Sequence, residues 1–330
     1  MAGPTTLSTL PPGTQAFYDR NLLRRAQPAE VYGRFGQKRP LSQRSGNQIK
    51  FRRYSQLAPA SLPLTEGVTP AGSQLAVTDI FATLQQYGDY VTLTDMVSMT
   101  NQDPVVTEAT DVLGDQAGTT IDQARRDVIV TGTNVAYASG VASRALVAAK
   151  ITATDLDRAI RFLKVQNTKF MKEGLSSSQN VGTGAIRKAF IAVVHPDVEF
   201  DLESVAGYRA VSDYGSMDGV MEDEIGAYKN IRFVSSTNAK IFPGAGAAGT
   251  TVLKNNGANF DVYAVMIFGA DAYAVIDLAG AGMMTEVKPL GSAGTADPLN
   301  QRSTVGWKAT TTTRILNDAW LLRLEVGASL

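Results

Sequence analysis

His195, the only histidine of the chain, opens a row of residues that could bind a divalent cation through imidazole and carboxylate ligands. The acidic members alternate along the sequence and are Asp197, Glu199, Asp201 and Glu203. Pro196 favours a different structure, because proline suits the first turn of a helix and carboxylates are stabilised near the positive helix end. We therefore expect a strand that ends at His195, a helix that begins at Pro196, and no bound metal.

The motif PGAGAAG has the spacing of a dinucleotide-binding fingerprint at Gly244, Gly246 and Gly249. That fingerprint requires a tight turn leading into a helix whose N-terminus holds the pyrophosphate. Residues 250–257 are too few and too rich in Asn and Thr to form such a helix. We interpret the motif as a surface loop and expect no cofactor.

The residue types give little support to nucleophilic catalysis. A Ser-His-acid triad would have to use His195, and the chain has neither a GxSxG motif nor a GxxxxGK[ST] phosphate loop. The absence of cysteine excludes thiol nucleophiles, thiolate metal ligands and disulfides. Paired-carboxylate chemistry stays open, because acids far apart in the chain can meet in the fold. We expect a protein that is not an enzyme.

Composition and charge are those of a soluble globular chain. Of its 330 residues, 44% are hydrophobic, and 31 basic and 31 acidic residues cancel. No net field therefore draws it to nucleic acid or to an anionic membrane. Residues 1–13 lack the basic start and apolar core of a secretory signal. The apolar stretch 262–284 is interrupted by Asp271 and Asp277, which indicates buried strands rather than a membrane span.

The charges are nevertheless segregated along the first third of the chain. Residues 1–54 contain ten basic and two acidic residues, a balance of +8, whereas residues 55–124 contain nine acidic residues and no basic ones. The two segments could pair within one molecule, or each could meet its complement on a neighbouring copy. Like-charge runs also occur as plain solvated faces.

A basic cluster interleaved with Phe51 and Tyr54 lies in the first of these segments. Its cations are Arg44, Lys50, Arg52 and Arg53. Cations beside stacking aromatics are typical of nucleic-acid surfaces, whereas charges on an exposed strand also oppose edge-to-edge aggregation. We favour a protein-protein role for the cluster over DNA binding.

The first 90 residues predict an extended arm and a finger. Residues 1–35 show no period long enough for a core element. Residues 49–54 alternate as a half-exposed strand, and a second strand-like region covers 75–93. The Pro- and Gly-rich segment 55–74 between them is typical of a projecting loop. We interpret 36–90 as a two-stranded finger, which needs a surface to lie on because such a pair is marginal alone.

A long amphipathic helix follows. Asp103 is a good N-cap, Pro104 suits the first helical position, and apolar residues recur at three- and four-residue spacing from Val105 until Gly132. We expect its acidic side chains to lie largely on the polar side; they are Glu108, Asp111, Asp115 and Asp122.

Later elements favour an α+β fold. A second helix is predicted from Thr154 to before Gly174. Strands are predicted at 190–194, 231–234, 262–268 and 273–278, with a closing strand pair of 305–312 and 320–326 joined around Asn317 and Asp318. Helices and strands are segregated more than alternated, which favours α+β over a doubly wound sheet.

The order of these features resembles the major capsid proteins of tailed bacteriophages. The resemblance lies in the arm, the basic strand, the finger, the acidic helix and the segments FIAVVHPDVEFDL, EIGAYKNIRFVSST and VGWKATTTTRILNDAWLLRLEV. The segments FGQKRPLSQRSGNQIKFRRYSQL, PLTEGVTP and QYGDYVTLTD are similar to the Enquatrovirus-like, or N-four type, major capsid protein family.

This resemblance implies the Hong Kong 97-type capsid fold. It divides the chain into an N-terminal arm (1–35), an E-loop hairpin (36–95), a P domain (96–188) with a spine helix at 104–131, an A domain (189–280) and a return to the P domain (281–330). It implies copies that self-assemble as pentamers and hexamers into an icosahedral shell, located in the virion capsid and assembled in the host cytoplasm. Implied partners are identical subunits, portal and scaffolding or decoration proteins, and double-stranded DNA held without sequence specificity. An encapsulin, a cellular shell of the same fold, is the alternative.

On this basis we expect the finger to lie over a neighbouring subunit. The cations Arg44, Lys50, Arg52 and Arg53 of one subunit are then expected to approach Glu108, Asp111 or Asp115 of the next.

Overall fold

Two large β-sheets and one long helix form the frame of the residues that the structure describes. In this computed structural model those residues are 30–330, apart from 56, 60–62, 64, 65, 70, 71, 101–104, 175–185, 215–218, 250, 251, 281, 295 and 296. The predicted arm, except for its last six residues, and the predicted helix start at Asp103 and Pro104 lie outside the described residues.

The described residues form five α-helices and seventeen strands. The helices are α1 (Tyr32–Phe35), α2 (Asp95–Thr100), α3 (Val105–Val130), α4 (Ala153–Val165) and α5 (Pro196–Glu203). The first nine strands are β1 (Gln37–Lys38), β2 (Gln48–Tyr54), β3 (Val77–Thr83), β4 (Gln85–Thr94), β5 (Val135–Tyr137), β6 (Phe190–Val194), β7 (Tyr208–Ala210), β8 (Glu224–Tyr228) and β9 (Ile231–Ser235). The others are β10 (Ile241–Phe242), β11 (Asn255–Asn256), β12 (Asn259–Phe260), β13 (Val262–Phe268), β14 (Tyr273–Asp277), β15 (Met283–Lys288), β16 (Arg302–Ile315) and β17 (Leu321–Val326).

The smaller of the two sheets is built around β16. Strand β4 runs antiparallel along one edge of β16, and β14 and β15 run antiparallel along the other edge. Thr311 pairs with both Gln85 and Asp277, which places β4 and β14 on opposite edges. Strand β1 adds in parallel to β14.

The larger sheet has the order β5-β17-β13-β6-β9-β8-β7, with β10 also paired to β13. All residues of β6 and β13 are buried, because both faces of the sheet are covered. Alternate strand residues belong to two different cores: Phe190 packs with α4 and α5, whereas Ile191 packs with α1 and the end of α3.

Helix α3 joins the two sheets. Its residues Leu113, Ala117 and Ile121 pack against β16, while Ile129 near its end packs on the larger sheet. Its 26 residues span about 39 Å at a rise of about 1.5 Å per residue. The predicted helix is thus confirmed over 105–130. The acidic side chains were expected to lie largely on the polar side of this helix. Asp122 differs, because its side chain is fully buried at the junction of helix and sheets.

Three other sequence predictions change in detail, although the α+β class is confirmed. The finger hairpin consists of β2 and β3 alone. The second predicted strand is interrupted at Leu84, and its continuation, β4, pairs with β16. Helix α4 begins after Thr152, whose hydroxyl accepts the Asp155 amide, and ends at Val165. The predicted closing pair is wrong. Both edges of β16 are already occupied, so β17 crosses to the larger sheet and pairs with β13 and β5.

None of the helices in the described ranges is long and apolar enough to span a membrane.

Candidate functional site

The β2–β3 hairpin presents a charged face to solvent. Opposite residues of an antiparallel pair project to the same side, and Arg52 lies opposite Asp79, as Lys50 does opposite Phe81. Lys50 Nζ is 2.6 Å from Asp79 Oδ2, and Arg52 Nε is 3.2 Å from Asp79 Oδ1. The hydrogen bond from Lys50, together with that from Arg52, lowers the pKa of Asp79 below its ordinary value. Two cations share one carboxylate, so this face keeps a net positive charge.

The opposite face of the hairpin is apolar at its base. Ile49 and Phe51 point inward, as the alternation of the sequence predicted, and they join a cluster of buried and half-buried side chains. The other members are Leu41, Ala82, Leu84, Ala274, Ile276 and Leu316. The base of the finger therefore lies on its own subunit, which supplies part of the surface that a two-stranded hairpin requires.

Farther along the hairpin, the apolar side chains are exposed. The large ones among the described residues are Tyr54 (57% exposed), Leu57 (46%), Val68 (62%), Leu75 (61%) and Val77 (45%). Exposed apolar side chains gathered on one projecting element are typical of a protein-protein contact.

Arg53 and Arg44 take different positions from the cations on the charged face. Arg53 projects to the inner side, where its Nη1 donates to Asn317 Oδ1 at 2.8 Å. This contact borders a groove of about 640 Å³ between the hairpin and the body, lined also by Lys169 and Trp320. Arg44 is exposed in the turn before β2, with a left-handed backbone at φ +64°.

The predicted acidic residues form a stripe along α3. Glu108, Asp111 and Asp115 recur at three- and four-residue spacing, with Val112 between them, and therefore share one side of the helix. Glu108 and Asp115 are exposed, Asp111 is half-buried, and Val112 is 63% exposed. This stripe faces away from the residues that pack on β16.

The three hairpin cations have other partners in the described part of the chain. Lys50 and Arg52 bind Asp79, and Arg53 binds the 316–317 turn. A contact between these cations and the α3 stripe of a second copy stays a prediction.

The row that begins at His195 is structural. His195 directly follows β6 and caps α5, since its Nδ1 accepts the Asp197 amide at 3.2 Å. Burial lowers the pKa of His195. The carboxylates bind different partners. Asp197 pairs with Lys254 and accepts the Tyr263 hydroxyl, whereas Asp201 accepts the Ser329 hydroxyl. Among the described residues, no group of three or more His, Cys, Asp or Glu side chains could hold a metal ion.

The glycine motif is a loop, as predicted. Gly246 and Gly249 donate their amides to Phe260 and Ala258, so this backbone lies against the β12 segment. A Cβ at Gly249 would lie 2.1 Å from the Phe260 ring, which explains the need for glycine at this close approach. Between Gly249 and β13, the described residues form no helix and contain only the short β11–β12 pair.

Two buried charge sites were missed by the sequence analysis. Arg232 Nε lies 2.6 Å from Glu224 Oε1 between β8 and β9, and both side chains are buried. Asp122 accepts hydrogen bonds from the Tyr32 amide and the Asn238 side chain. A sequence signal was present for Arg232, because an arginine inside an apolar strand needs a partner. The burial of Asp122 depends on the segments that pack on its side of α3, where Gly118 and Arg125 are buried as well.

Comparison with known proteins identifies relatives of this architecture. A family model described as "Phage capsid protein" matches residues 77–324. The capsid of Ralstonia phage GP4 has a TM-score of 0.69 at 14% sequence identity, with 92% of each chain covered. The capsid asymmetric unit of cyanophage Pam1 has a TM-score of 0.60 at 14% identity, covering 87% of this chain and 86% of that one. The capsid of cyanophage P-SCSP1u has a TM-score of 0.57 at 14% identity, covering 89% and 87%. No curated protein matches the chain.

Proposed function

Because the chain belongs to the phage capsid protein family, we propose that its copies assemble as pentamers and hexamers into an icosahedral shell around double-stranded DNA. The protein is a structural major capsid protein of the virion capsid, with the α+β fold of Hong Kong 97-type capsids. These relatives are phage capsid proteins, so the encapsulin alternative is not favoured. Assembly in the host cytoplasm, with portal and scaffolding or decoration proteins as partners, belongs to the proposal.

The finer classification and the domain division are also part of the proposal. The segments around 35–57, 63–70 and 86–95 support an Enquatrovirus-like capsid protein. Residues 1–35 would form the arm, 36–95 the E-loop, 96–188 and 281–330 the P domain, and 189–280 the A domain. Two sheets joined by α3 support a body of two parts. The sheets cross the proposed bounds, because β14, from 189–280, lies in the smaller sheet, whereas β5 and β17, from 96–188 and 281–330, lie in the larger one.

The observation that carries the assembly proposal is the form of the hairpin. Its base packs on its own subunit, while its distal apolar side chains and its positive face lie in solvent. A neighbouring α3 offers the matching chemistry, since Val112 is exposed between the carboxylates of the acidic stripe. Obligate interfaces commonly bury about 2,000 Å² or more.

Charge and apolar burial have different roles in this contact. An exposed ion pair contributes only about 0 to 1 kcal/mol, whereas complementary charges set the register and raise the association rate. Apolar burial therefore supplies most of the affinity, and the charges supply the steering. Assembly should slow as ionic strength rises, because salt screens exposed charges beyond about 8 Å at 0.15 M.

The function is tested by the particles that the purified protein forms. We expect electron micrographs of the recombinant chain, concentrated at low ionic strength, to show closed shells or their ring-shaped capsomers. Small-angle scattering over a dilution series would follow the same equilibrium. A compact monomer at every concentration would contradict the proposal.

The inter-subunit contact is tested by charge reversal. Changing Arg52→Glu and Arg53→Glu together should reduce shell yield several-fold, because each shell repeats the lost attraction at many contacts. Reversing Glu108, Asp111 and Asp115 to Lys on α3 should restore part of the yield. Shell yield is measured by sedimentation and electron microscopy.

Controls separate this contact from damage to the hairpin itself. Arg52 also pairs with Asp79 in its own chain, so Asp79→Arg added to Arg52→Glu repairs the internal pair. The double change Lys288→Glu and Lys308→Glu, on exposed residues of the smaller sheet, gives the same change in net charge. Unchanged yield after reversal of Arg52 and Arg53 would refute the pairing and leave the shell function intact.

A further inference from the structure

Residues 30–41, here called the strap, bind to strand β14 and to helix α3. Strand β1 of the strap pairs with β14, and Leu41 continues this ladder through its amide to the Asp277 carbonyl. At the other end, Glu30 accepts a 2.6 Å bond from Arg125 on α3. Between them, Tyr32 is fully buried and its carbonyl accepts the Tyr273 hydroxyl at 2.6 Å.

Asp122 lies where the strap, α3 and the larger sheet meet. Its Oδ1 accepts the Tyr32 amide at 2.8 Å, and its Oδ2 accepts Asn238 Nδ2, in the turn after β9, at 3.1 Å. The Asp122 side chain is fully buried. One carboxyl group thus connects all three elements.

This buried carboxylate has no ion-pair partner among the described residues. Arg125, one turn along α3, binds Glu30 and Asp277 instead. Arg126 donates to the Asn238 carbonyl and binds Asp127, which Lys240 also binds. A buried carboxylate that has hydrogen bonds but no countercharge is costly in its ionised form. The neutral acid avoids this cost and keeps a carbonyl oxygen for the Tyr32 amide.

We propose that the strap is a proton-controlled clasp: uptake of one proton by Asp122 tightens the docking of residues 30–41 on α3, and loss of that proton loosens it.

The direction of the control follows from the groups that face Asp122. Burial raises its pKa to about 6, against an ordinary value of 3.8. Glu30 on the strap raises it as well, while the bonds from Tyr32 and Asn238 and the charge of Arg125 oppose the rise. Tyr273 on β14 is also buried and keeps its proton, since burial raises its pKa well above the ordinary value. The remaining charged groups around Asp122 are Asp127 on α3, which binds Arg126, and Asp277 on β14, which binds Arg125.

When the strap is released, Asp122 meets water and regains an ordinary carboxyl pKa. The docked state therefore binds the proton more tightly, and docking strengthens as the pH falls through 6. Linkage between pKa values of about 6 and 3.8 gives a docking constant about tenfold larger at pH 5 than at pH 8.

Hydrogen exchange of the strap in the full-length chain tests the proposal. Amide protection of residues 30–41, corrected for the pH dependence of intrinsic exchange, should rise about tenfold from pH 8 to pH 5. Residues 156–163 of α4 serve as an internal control and should show no such rise. Asp122→Asn, which is neutral at every pH, should keep the strap protected with no slope, and Asp122→Ala should leave it poorly protected.

Glu203→Gln is the matched control, because it removes an exposed helical carboxylate far along the chain from the strap. It should retain the wild-type slope. A wild-type strap whose protection does not change with pH, or an Asp122→Asn strap with the wild-type slope, would overturn the proposal. The wild-type comparison of the strap with α4 decides the question even if a variant fails to fold.

Discussion

Replacing Glu224 with Leu should lower the free energy of unfolding by about 3 to 5 kcal/mol, because the change leaves a buried guanidinium without a countercharge. Arg232 has 1% of its side chain exposed and Glu224 none. The carboxylate also accepts the Tyr214 hydroxyl and the Met221 amide, both at 2.9 Å. Its loss would therefore leave two further donors without an acceptor in the same site.

Denaturant unfolding followed by circular dichroism measures this effect. The double change Glu224→Leu and Arg232→Met should recover much of the loss, since no charge remains buried. Lys229→Ala provides the exposed control: its ion pair with Asp157 is half in solvent, so its loss should change the free energy of unfolding far less. A single Glu224→Leu variant as stable as the Lys229→Ala variant would show that the buried pair is not needed.

Trp307→Ala should destabilise the protein by about 3 to 5 kcal/mol, the usual range for loss of a buried large aromatic side chain. Trp307 is 3% exposed and fills the seam between β16 and α3, where it packs with Leu113 and Ile121. Its indole Nε1 donates to Gln116 Oε1 at 3.1 Å. Because this seam seats the helix that joins the two sheets, the variant should also lose cooperativity of unfolding.

The second tryptophan is the natural control for this prediction. Trp320 is only half-buried, in the short turn before β17, so Trp320→Ala should cost clearly less. Trp307→Phe should retain more of the stability than Trp307→Ala, because it keeps one aromatic ring in the seam and loses the second ring and the hydrogen bond. Equal midpoints of urea unfolding for the two alanine variants would contradict the assignment of Trp307 to the core seam.

Much of the local structure was predictable from the chain. Helix α5 follows from Pro196 after an apolar strand, and α3 follows from apolar residues at helical spacing. The two faces of β2 follow from the alternation of Ile49 and Phe51 with Lys50 and Arg52. These signals are local, because they depend on neighbours within one or two turns or on the period of a single strand. The order of these elements, together with the sequence segments quoted above, carried the resemblance to the capsid proteins.

Strand partners were less accessible to sequence reasoning. Strands β16 and β17 were both predicted as strands, yet they lie in different sheets. Strand β4 was counted in the finger, yet it occupies an edge of β16. Any apolar or alternating strand can pair with several others, and the choice depends on which edges remain open once the sheet is assembled.

The same division holds for charge. The sequence by itself determined the net neutrality, the basic cluster with its acidic counterpart, and the elements that carry them. Only the tertiary structure decided that Asp122 is buried while Asp115, on the same helix, is exposed, and that Lys50 and Arg52 meet Asp79 first. The reason is physical: residue type and spacing set which conformations a segment prefers, whereas burial and charge pairing depend on the segments that pack around it from elsewhere in the chain.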